Sequence, residues 1–222
     1  MKVILFGATG MIGQGVMREC LIDQGVTEVL SVSRRALGLQ HPKLRELIHA
    51  DFTDFEAVAS RFAGFDACFW CLGVSSVGMT EAEYLRVTHD FTVAAAGPMA
   101  RLCPGMTFVF VSGVGTDSTG QGRVMWARVK GRTENAVFGL PFKAAFAFRP
   151  GYIQPMHGER ATGRGTRVMY AIMRPFFPLW KLVFRRWVTT TEILARAMLH
   201  VARNGWRSRV LESNEIDEAG RA

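Results

Sequence analysis

Three glycines near the N-terminus have the spacing of loops that hold phosphate groups. Gly7, Gly10 and Gly13 lie in "FGATGMIGQG", between an apolar strand pattern and a helical pattern. Gly7 would permit a tight turn, Gly10 would let the backbone approach a pyrophosphate, and Gly13 would allow close helix–strand packing. The helix N-terminus would then bind the pyrophosphate of a dinucleotide. We expect the contacts to come from Gly7, Thr9, Gly10, Met11, Ile12 and Gly13.

The end of the second strand pattern carries two arginines and no acid. Ser33, Arg34 and Arg35 stand where a carboxylate would hydrogen-bond the ribose hydroxyls of NAD. Two guanidinium groups instead suit the dianionic 2′-phosphate of NADP through charge-assisted hydrogen bonds. The alternative is that both arginines only form a solvated turn. We predict NADP as the cofactor in preference to NAD.

Two further strand ends are expected beside the same cofactor. Asp51 and Phe52 follow the third strand and could line an adenine pocket. The fourth strand ends in "CLG", where Gly73 would let the backbone run alongside the cofactor. We therefore add Cys71, Leu72 and Gly73 to the predicted cofactor contacts.

Strand and helix patterns alternate along the chain, and the strands are continuous apolar runs. The predicted strands are 2–7, 27–35, 44–52, 66–73, 106–113, 143–151 and 208–212, and the predicted helices are 11–25, 54–62, 80–102, 125–138 and 190–205. This order predicts an α/β fold with a doubly wound parallel sheet, the Rossmann arrangement. We expect one domain over 1–222, with 152–190 forming a small C-terminal lobe over the cofactor site.

The composition is that of a soluble globular protein. The 222 residues suffice for one α/β domain, and 49% are hydrophobic and 21% charged. The first strand begins directly after Met1, with no export signal or long apolar run, so a cytoplasmic location is expected.

Cys68 and Cys71 form a C-x-x-C pattern that could indicate redox chemistry or half a metal site. Both lie in an apolar strand, where residues three apart point to opposite faces. There is no second cysteine pair, and the five histidines are scattered. We expect neither a metal nor a dithiol role.

A basic and aromatic segment spans 160–187. It holds seven basic residues, no acid and six aromatic ones: Arg160, Arg164, Arg167, Tyr170, Arg174, Phe176, Phe177, Trp180, Lys181, Phe184, Arg185, Arg186 and Trp187. Such segments can bind a membrane surface or nucleic acid. Because Pro175 and Pro178 interrupt any long amphipathic helix, packing or a homodimer contact is favoured. Peripheral membrane contact is the alternative, and nucleic-acid binding is not expected.

The sequence resembles the short-chain dehydrogenase/reductase superfamily in its atypical branch, which is similar to NAD-dependent epimerases and dehydratases. Within that branch it looks like the Tat-interacting-protein-like oxidoreductases. The motifs that carry the resemblance run in the family's order: "GATGMIG", "SRR", "HADF", "CLGVSS", "YLRVTHDFTVAAA", "FVFVSGVG", "VKGRTE", "FRPGYI" and "VTTTEILARAM". They cover nearly the whole chain.

The resemblance implies an active site of serine, tyrosine and lysine. Ser112 matches the serine that polarises a substrate carbonyl, and Lys130 matches the lysine that holds the nicotinamide ribose. The tyrosine position, four residues before the lysine, is Trp126. An indole N–H is no proton-transfer acid near neutrality. Trp126 could pack or form an aromatic wall for a flat ligand.

The resemblance also implies that Pro150, Gly151 and Ile153 pass the nicotinamide amide. The leading interpretation is an NADP(H)-binding oxidoreductase that acts on an unidentified small molecule. A non-catalytic cofactor sensor or interaction protein is the alternative, and Trp126 favours it. A sugar-nucleotide epimerase or dehydratase is a third interpretation, against which the short segment after residue 151 counts.

Overall fold

The computed structural model describes residues 1–159 and 187–222. Within them the strands are β1 (Lys2–Phe6), β2 (Glu28–Ser33), β3 (Leu44–Ile48), β4 (Ala67–Trp70), β5 (Thr107–Val111), β6 (Ala144–Arg149), β7 (Tyr152–Gln154), β8 (Val188–Thr190) and β9 (Val210–Glu212). The helices are α1 (Met11–Ile22), α2 (Glu81–Leu85), α3 (Phe91–Leu102), α4 (Met125–Phe138), α5 (Thr191–Asn204) and α6 (Ser213–Ala219). A 3₁₀ helix covers Glu56–Phe62, and a π-helical turn covers Arg86–Asp90.

Seven strands form one sheet in the order β3-β2-β1-β4-β5-β6-β9. Every neighbouring pair is parallel, and Phe6 in β1 lies opposite Val32 on one side and Trp70 on the other. The strand order reverses at β1, and in open parallel sheets cofactors bind at the carboxyl end of that reversal. The predicted doubly wound fold is confirmed.

The two faces of the sheet are covered by different helices, because successive strand residues point to opposite sides. Val3 and Leu5 pack with α1, α5 and α6. Ile4 and Phe6 pack with the 3₁₀ helix, α3 and the end of α4. Strands buried on both faces explain the uninterrupted apolar runs in the sequence.

The helix predicted over 80–102 begins as expected but is interrupted. The Thr80 hydroxyl accepts the Glu83 amide at 3.3 Å, and the Glu83 carboxylate accepts the Thr80 amide at 2.8 Å. This capping box fixes the helix start. The π-helical turn then divides α2 from α3.

Two elements were not predicted. The acidic C-terminal tail contains α6, whose Ile216 and Ala219 are buried against the core. A second sheet pairs β7 with β8 in parallel, with Tyr152 opposite Val188. The lobe predicted over 152–190 lies mostly outside the described residues, as does the basic and aromatic segment apart from Trp187. In the part of the chain that is described, no helix is long and apolar enough to cross a membrane.

Candidate functional site

The loop between β1 and α1 turns sharply at Gly7. Its φ is +80°, a conformation that L side chains rarely adopt. A Cβ there would lie 2.6 Å from backbone atoms of Cys71 and Leu72 at the end of β4. A Cβ at Gly13 would lie 2.0 Å from the Gly7 carbonyl oxygen. Both positions therefore need glycine for packing, as the motif predicts.

The start of α1 leaves room for an anion. Gly10 caps the helix without a side chain, and the first turn holds no acidic residue. A Cβ at Gly10 would meet only the Gly7 carbonyl oxygen, at 3.4 Å. Helix amides in the first turn have no intrahelical acceptor, so this space suits a pyrophosphate. Thr9 is exposed beside it, while Met11 and Ile12 are half-buried against the core.

The end of β2 presents both arginines to solvent. The buried Ser33 hydroxyl donates to the Arg35 carbonyl at 2.6 Å, which holds the turn. Arg34 and Arg35 are exposed, and neither forms an ion pair with any residue that the structure describes. A cleft of about 420 Å³ joins this turn to the glycine loop and is lined by Ala8, Thr9, Gln14, Met17, Arg18, Ala36, Leu37 and Leu39.

The predicted adenine contacts fall in two environments. Phe52 packs in the core, with its ring 6.1 Å from that of Phe6, so its side chain does not form a solvent-facing wall. The Asp51 carboxylate is exposed and accepts the Thr53 hydroxyl and amide, which lower its pKa. Gly73 is exposed with open space around its Cα, which leaves room for a ligand. The adenine contact stays a prediction.

Ser112 lies directly after β5 and is nearly buried. Its amide donates to the Phe148 carbonyl at 2.7 Å, and its hydroxyl lies 2.9 Å from that of Thr116. The Thr116 hydroxyl donates to the Gly113 carbonyl at 2.7 Å. Since a threonine hydroxyl has one proton, Ser112 is the donor in its bond to Thr116.

Lys130 reaches the same strand end from α4. Its Nζ donates to the Val111 carbonyl at 3.2 Å and lies 5.3 Å from the centre of the Phe110 ring. Burial lowers the pKa of Lys130 to about 8, against the opposing effect of the Glu134 charge. The structure thus brings Ser112 and Lys130 together.

Trp126 lies against the loop that follows Ser112. A Cβ at Gly113 would meet Cζ3 of the indole at 3.9 Å, and one at Gly115 would meet Cη2 at 3.8 Å. The ring is half-buried. Trp126 therefore packs beside Ser112, on the helix that carries Lys130.

The loop after β5 also packs directly on α4. A Cβ at Gly131 would lie 1.7 Å from the Asp117 carbonyl oxygen, so this contact requires glycine. The Asp117 carboxylate accepts the Thr119 hydroxyl at 2.6 Å and the Gly122 amide at 2.6 Å, and these bonds lower its pKa to about 2. The sequence patterns did not predict a site role for Thr116, Asp117 or Gly131. A glycine inside a predicted helix, next to a candidate lysine, was the available signal.

Arg149 ends β6 in a buried ion pair that no sequence pattern predicted. Its Nε donates to the Glu134 carboxylate at 3.0 Å, and its Nη2 donates to the second Glu134 oxygen and, at 2.6 Å, to the Ser118 hydroxyl. The Glu212 carboxylate lies 3.6 Å from Nη1. Glu134 is 1% exposed. Arg149 therefore holds the carboxylate that lies one helical turn after Lys130.

The segment 150–153, which is predicted to run beside the nicotinamide, is held by hydrogen bonds from two sides. The Pro150 carbonyl accepts the Val114 amide at 3.0 Å, and the Gly151 amide donates to the Ser213 hydroxyl at 2.8 Å. The Ile153 side chain is buried in the core. Ser213 belongs to the unpredicted α6, so its contact could not be foreseen.

A second cleft lies at the ends of β5, β6 and β9. Its volume is about 520 Å³, in the range of small-molecule sites, and it is lined by Val114, Gly115, Thr116, Arg149, Trp187, Glu212, Ser213 and Asn214. We call the glycine loop and the end of β2 the nucleotide half of the site. The ends of β5 and β6, together with α4, form its chemical half.

Two tyrosines and two cysteines outside the chemical half have pKa values that burial raises. Burial raises the pKa of Tyr84, and it also raises that of Tyr152, whose hydroxyl donates to Gln154 at 2.9 Å. Cys68 and Cys71 face opposite sides of the sheet, as predicted, and burial raises both thiol pKa values. Over 1–159 and 187–222 no group of three or more histidine, cysteine or acidic residues could hold a metal ion.

Known proteins match the chain along most of its length. A family model described as NAD(P)H-binding matches residues 7–136. The mitochondrial protein FMP52 of Chaetomium globosum is 26% identical over 98% of this chain and 96% of its own, and Protein HTATIP2 of Rattus norvegicus is 27% identical over 67% and 62%. The enzyme WbmF of Bordetella bronchiseptica, solved with NAD+, has a TM-score of 0.69 at 14% identity and covers 99% of this chain and 76% of that one.

The expected cytoplasmic location is wrong. Fungal relatives that match the chain, two of them over 98% of its length, are named as mitochondrial proteins. That prediction rested on the lack of an export signal, a pattern that carries no information about import into an organelle.

The match to the family model covers more than half of the chain, and the sheet order and glycine loop agree with it. The relatives agree with the resemblance drawn from the ordered motifs. The chain belongs to the NAD(P)H-binding family, within the atypical branch of the short-chain dehydrogenase/reductase superfamily.

Proposed function

We propose that this protein binds NADP(H) in preference to NAD(H) and uses it in an oxidoreductase reaction on a small carbonyl compound or the corresponding alcohol. The observation that carries the proposal is the exposed pair Arg34 and Arg35 beside the glycine loop. No carboxylate stands at the end of β2. A ribose 2′-phosphate bound there would meet two guanidinium groups.

The turn after β2 favours a phosphate over a plain ribose for a second reason. Ser33 uses its hydroxyl on the Arg35 carbonyl, so it is engaged within the turn. The adjoining cleft is lined by Thr9, Ala36 and Leu37, and the last two directly follow the two arginines in the chain. Because the arginine side chains are exposed, their attraction to phosphate should weaken as the salt concentration rises.

The chemical half supplies positioned groups at the end of β5. A bound nicotinamide supplies hydride or accepts it. Lys130, held on the Val111 carbonyl, would donate to ribose hydroxyls, and Ser112 would rotate its hydroxyl from Thr116 toward a substrate oxygen. The cleft beside Thr116 offers room for a small substrate.

A cofactor sensor without turnover is the second candidate, and Trp126 favours it. Its indole occupies the tyrosine position and packs on Gly113 and Gly115. Loss of a general acid typically costs about 10²–10⁴-fold in rate, so the two candidates differ in turnover rather than in binding.

The test is calorimetric titration of the wild type and of the double variant Arg34→Ala/Arg35→Ala with NADPH, NADP+, NADH and NAD+. We expect the phosphorylated forms to bind more tightly to the wild type, and the variant to lose that preference while keeping its affinity for NADH. Equal affinity of the wild type for NADPH and NADH would refute the NADP assignment. A subsequent screen of aldehydes, ketones and quinones with NADPH separates an enzyme from a sensor.

A further inference from the structure

Three side chains of the chemical half are candidates for moving a proton: Ser112, Trp126 and Lys130. An indole gives up no proton near neutrality. Ser112 donates to Thr116, and Thr116 donates to the Gly113 carbonyl, so this short chain of hydrogen bonds ends on the backbone. It has no proton source behind it. Lys130 is the group that remains.

The surroundings of Lys130 leave it protons to give. Its ammonium form has three N–H donors, and the Val111 carbonyl takes one of them. Glu134 lies one helical turn further on, and both of its carboxylate oxygens accept hydrogen bonds from Arg149. Within the described ranges, which omit 160–186, no carboxylate forms an ion pair with Lys130. Among the residues described, two of its three N–H donors therefore remain available to a ligand.

We propose that Lys130 is itself the proton donor of this site, in place of a tyrosine, and that the Glu134–Arg149 ion pair tunes it. This inference rests on the proposed oxidoreductase function. In reduction, the carbonyl carbon accepts hydride as the C=O π bond opens. The carbonyl oxygen then takes a proton from Nζ of Lys130, so an N–H bond breaks and an O–H bond forms. The neutral amine recovers a proton from water, and oxidation of an alcohol runs the same steps in reverse.

The protonation of Lys130 depends on burial and on the Glu134 charge, which Arg149 and Glu212 surround. Burial among Phe110 and its neighbours disfavours the ammonium, and the Glu134 charge on the same helix favours it. Arg149 from β6 offsets the Glu134 charge, and Glu212 from β9 faces Arg149 on its other side. The resulting pKa of about 8 lets Lys130 release and recover a proton near neutrality. Glu134 and Arg149 are thus positioning residues that act through Lys130.

The test measures the titration of Lys130 without needing turnover. The protein free of cofactor is labelled with trace acetic anhydride across a pH series, with Nα-acetyl-lysine amide in the same tube. Peptide mass spectrometry then gives the labelling midpoint of Lys130. We expect it near pH 8, against about 10.4 for a free lysine side chain. A Lys130 midpoint at that of the free reference would overturn the proposal.

Three variants test the tuning. Glu134→Gln removes the charge that favours the ammonium, so the Lys130 midpoint should fall, whereas Arg149→Met exposes Lys130 to the full Glu134 charge, so it should rise. Glu212→Gln is the matched control, because it touches Arg149 but leaves the Glu134 pair, and it should leave the midpoint in place. Shifts in the same direction for Glu134→Gln and Arg149→Met would refute the tuning. If Arg149→Met fails to fold, the other two variants still decide.

Lys130→Arg separates proton transfer from binding. Arginine keeps the charge and a hydrogen-bond donor but cannot release a proton. Calorimetry gives the NADPH Kd of each protein, so that both are assayed at saturating NADPH. Under those conditions the variant should lose the reduction of 4-nitrobenzaldehyde; retained reduction would contradict the proposal. Failure of the wild type to bind NADPH would overturn the proposed function and leave the labelling midpoint as a separate result.

Discussion

The nucleotide half of the site consists mainly of backbone groups, whereas the chemical half consists mainly of side chains. In the nucleotide half, the glycine loop and the start of α1 present backbone amides and empty space. In the chemical half, we propose that individual side chains at the ends of β5 and β6 carry the chemistry, and the resemblance aligns Trp126 with the family's tyrosine. The nucleotide half follows the superfamily pattern, whereas the chemical half departs from it.

This difference shows which part of such a site tolerates sequence change. A backbone cradle depends on a few glycines that are also required for folding, so it is preserved with the fold. A proton donor depends on one side chain, and exchanging it leaves the packing intact when the new ring fits, as Trp126 does against Gly113 and Gly115. Binding and chemistry can therefore separate within one fold.

The largest effect is expected in the nucleotide half. In Gly13→Ala, a Cβ would lie 2.0 Å from the Gly7 carbonyl oxygen, and backbone must move to relieve the clash. We expect a loss of about 3 kcal/mol in the free energy of unfolding, the upper end for overpacking. Thermal unfolding measures it. Gly73→Ala is the control, because position 73 has open space, and it should change the stability little. Equal losses in the two variants would show that the contact between Gly13 and Gly7 does not require glycine.

The chemical half should respond to restoring its acid. In Trp126→Tyr, a phenol next to Lys130 adds a second proton donor. We expect the rate of carbonyl reduction by NADPH to rise by about 10²-fold, the lower end for general acid catalysis, because Lys130 already donates. Trp126→Phe is the control and should give no gain. A gain of equal size for both variants would mean that removing the indole, rather than adding an acid, opens the site.

Ionic strength distinguishes the two ways in which the nucleotide half binds. Arg34 and Arg35 are exposed, so their attraction to phosphate is screened by salt. Raising ionic strength from about 0.01 M to about 0.15 M should weaken NADPH binding several-fold more than NADH binding. Calorimetry at both salt concentrations measures this. If NADPH and NADH binding weakened equally, Arg34 and Arg35 would not be the residues that bind the 2′-phosphate.

The smallest expected effect is on the stability of the loop between Ser112 and α4, which contains Asp117. Hydrogen bonds from Thr119 and Gly122 lower the pKa of Asp117 from 3.8 to about 2. A lowered carboxyl pKa contributes stability above 3.8 that is lost as pH falls through about 2. Asp117→Asn should therefore lose less stability than the wild type over that interval, as followed by urea unfolding. Identical losses would show that the Asp117 bonds do not persist in solution.

The sequence was informative where local chemistry determines local structure. The spacing assigned Gly7 to a tight turn and Gly13 to close packing, and the helix predicted over 80–102 begins where it was expected. Contacts between distant segments could not be foreseen. Ser213 meets Gly151 across 62 positions, and the Glu134–Arg149 pair joins a helix to a strand. Their partners are set by tertiary packing, which no single-sequence pattern encodes.

We infer that the nucleotide half binds the cofactor although Trp126 aligns with the family's tyrosine. Calorimetric titration of the wild type and Gly10→Val with NADPH is the decisive experiment. Gly10 has an ordinary backbone φ of −81°, so valine should be tolerated by the fold while its side chain fills the space for the pyrophosphate. We predict one NADPH per wild-type chain and no binding to a folded Gly10→Val. A wild type that does not bind NADPH, or a variant that binds equally well, would contradict the claim.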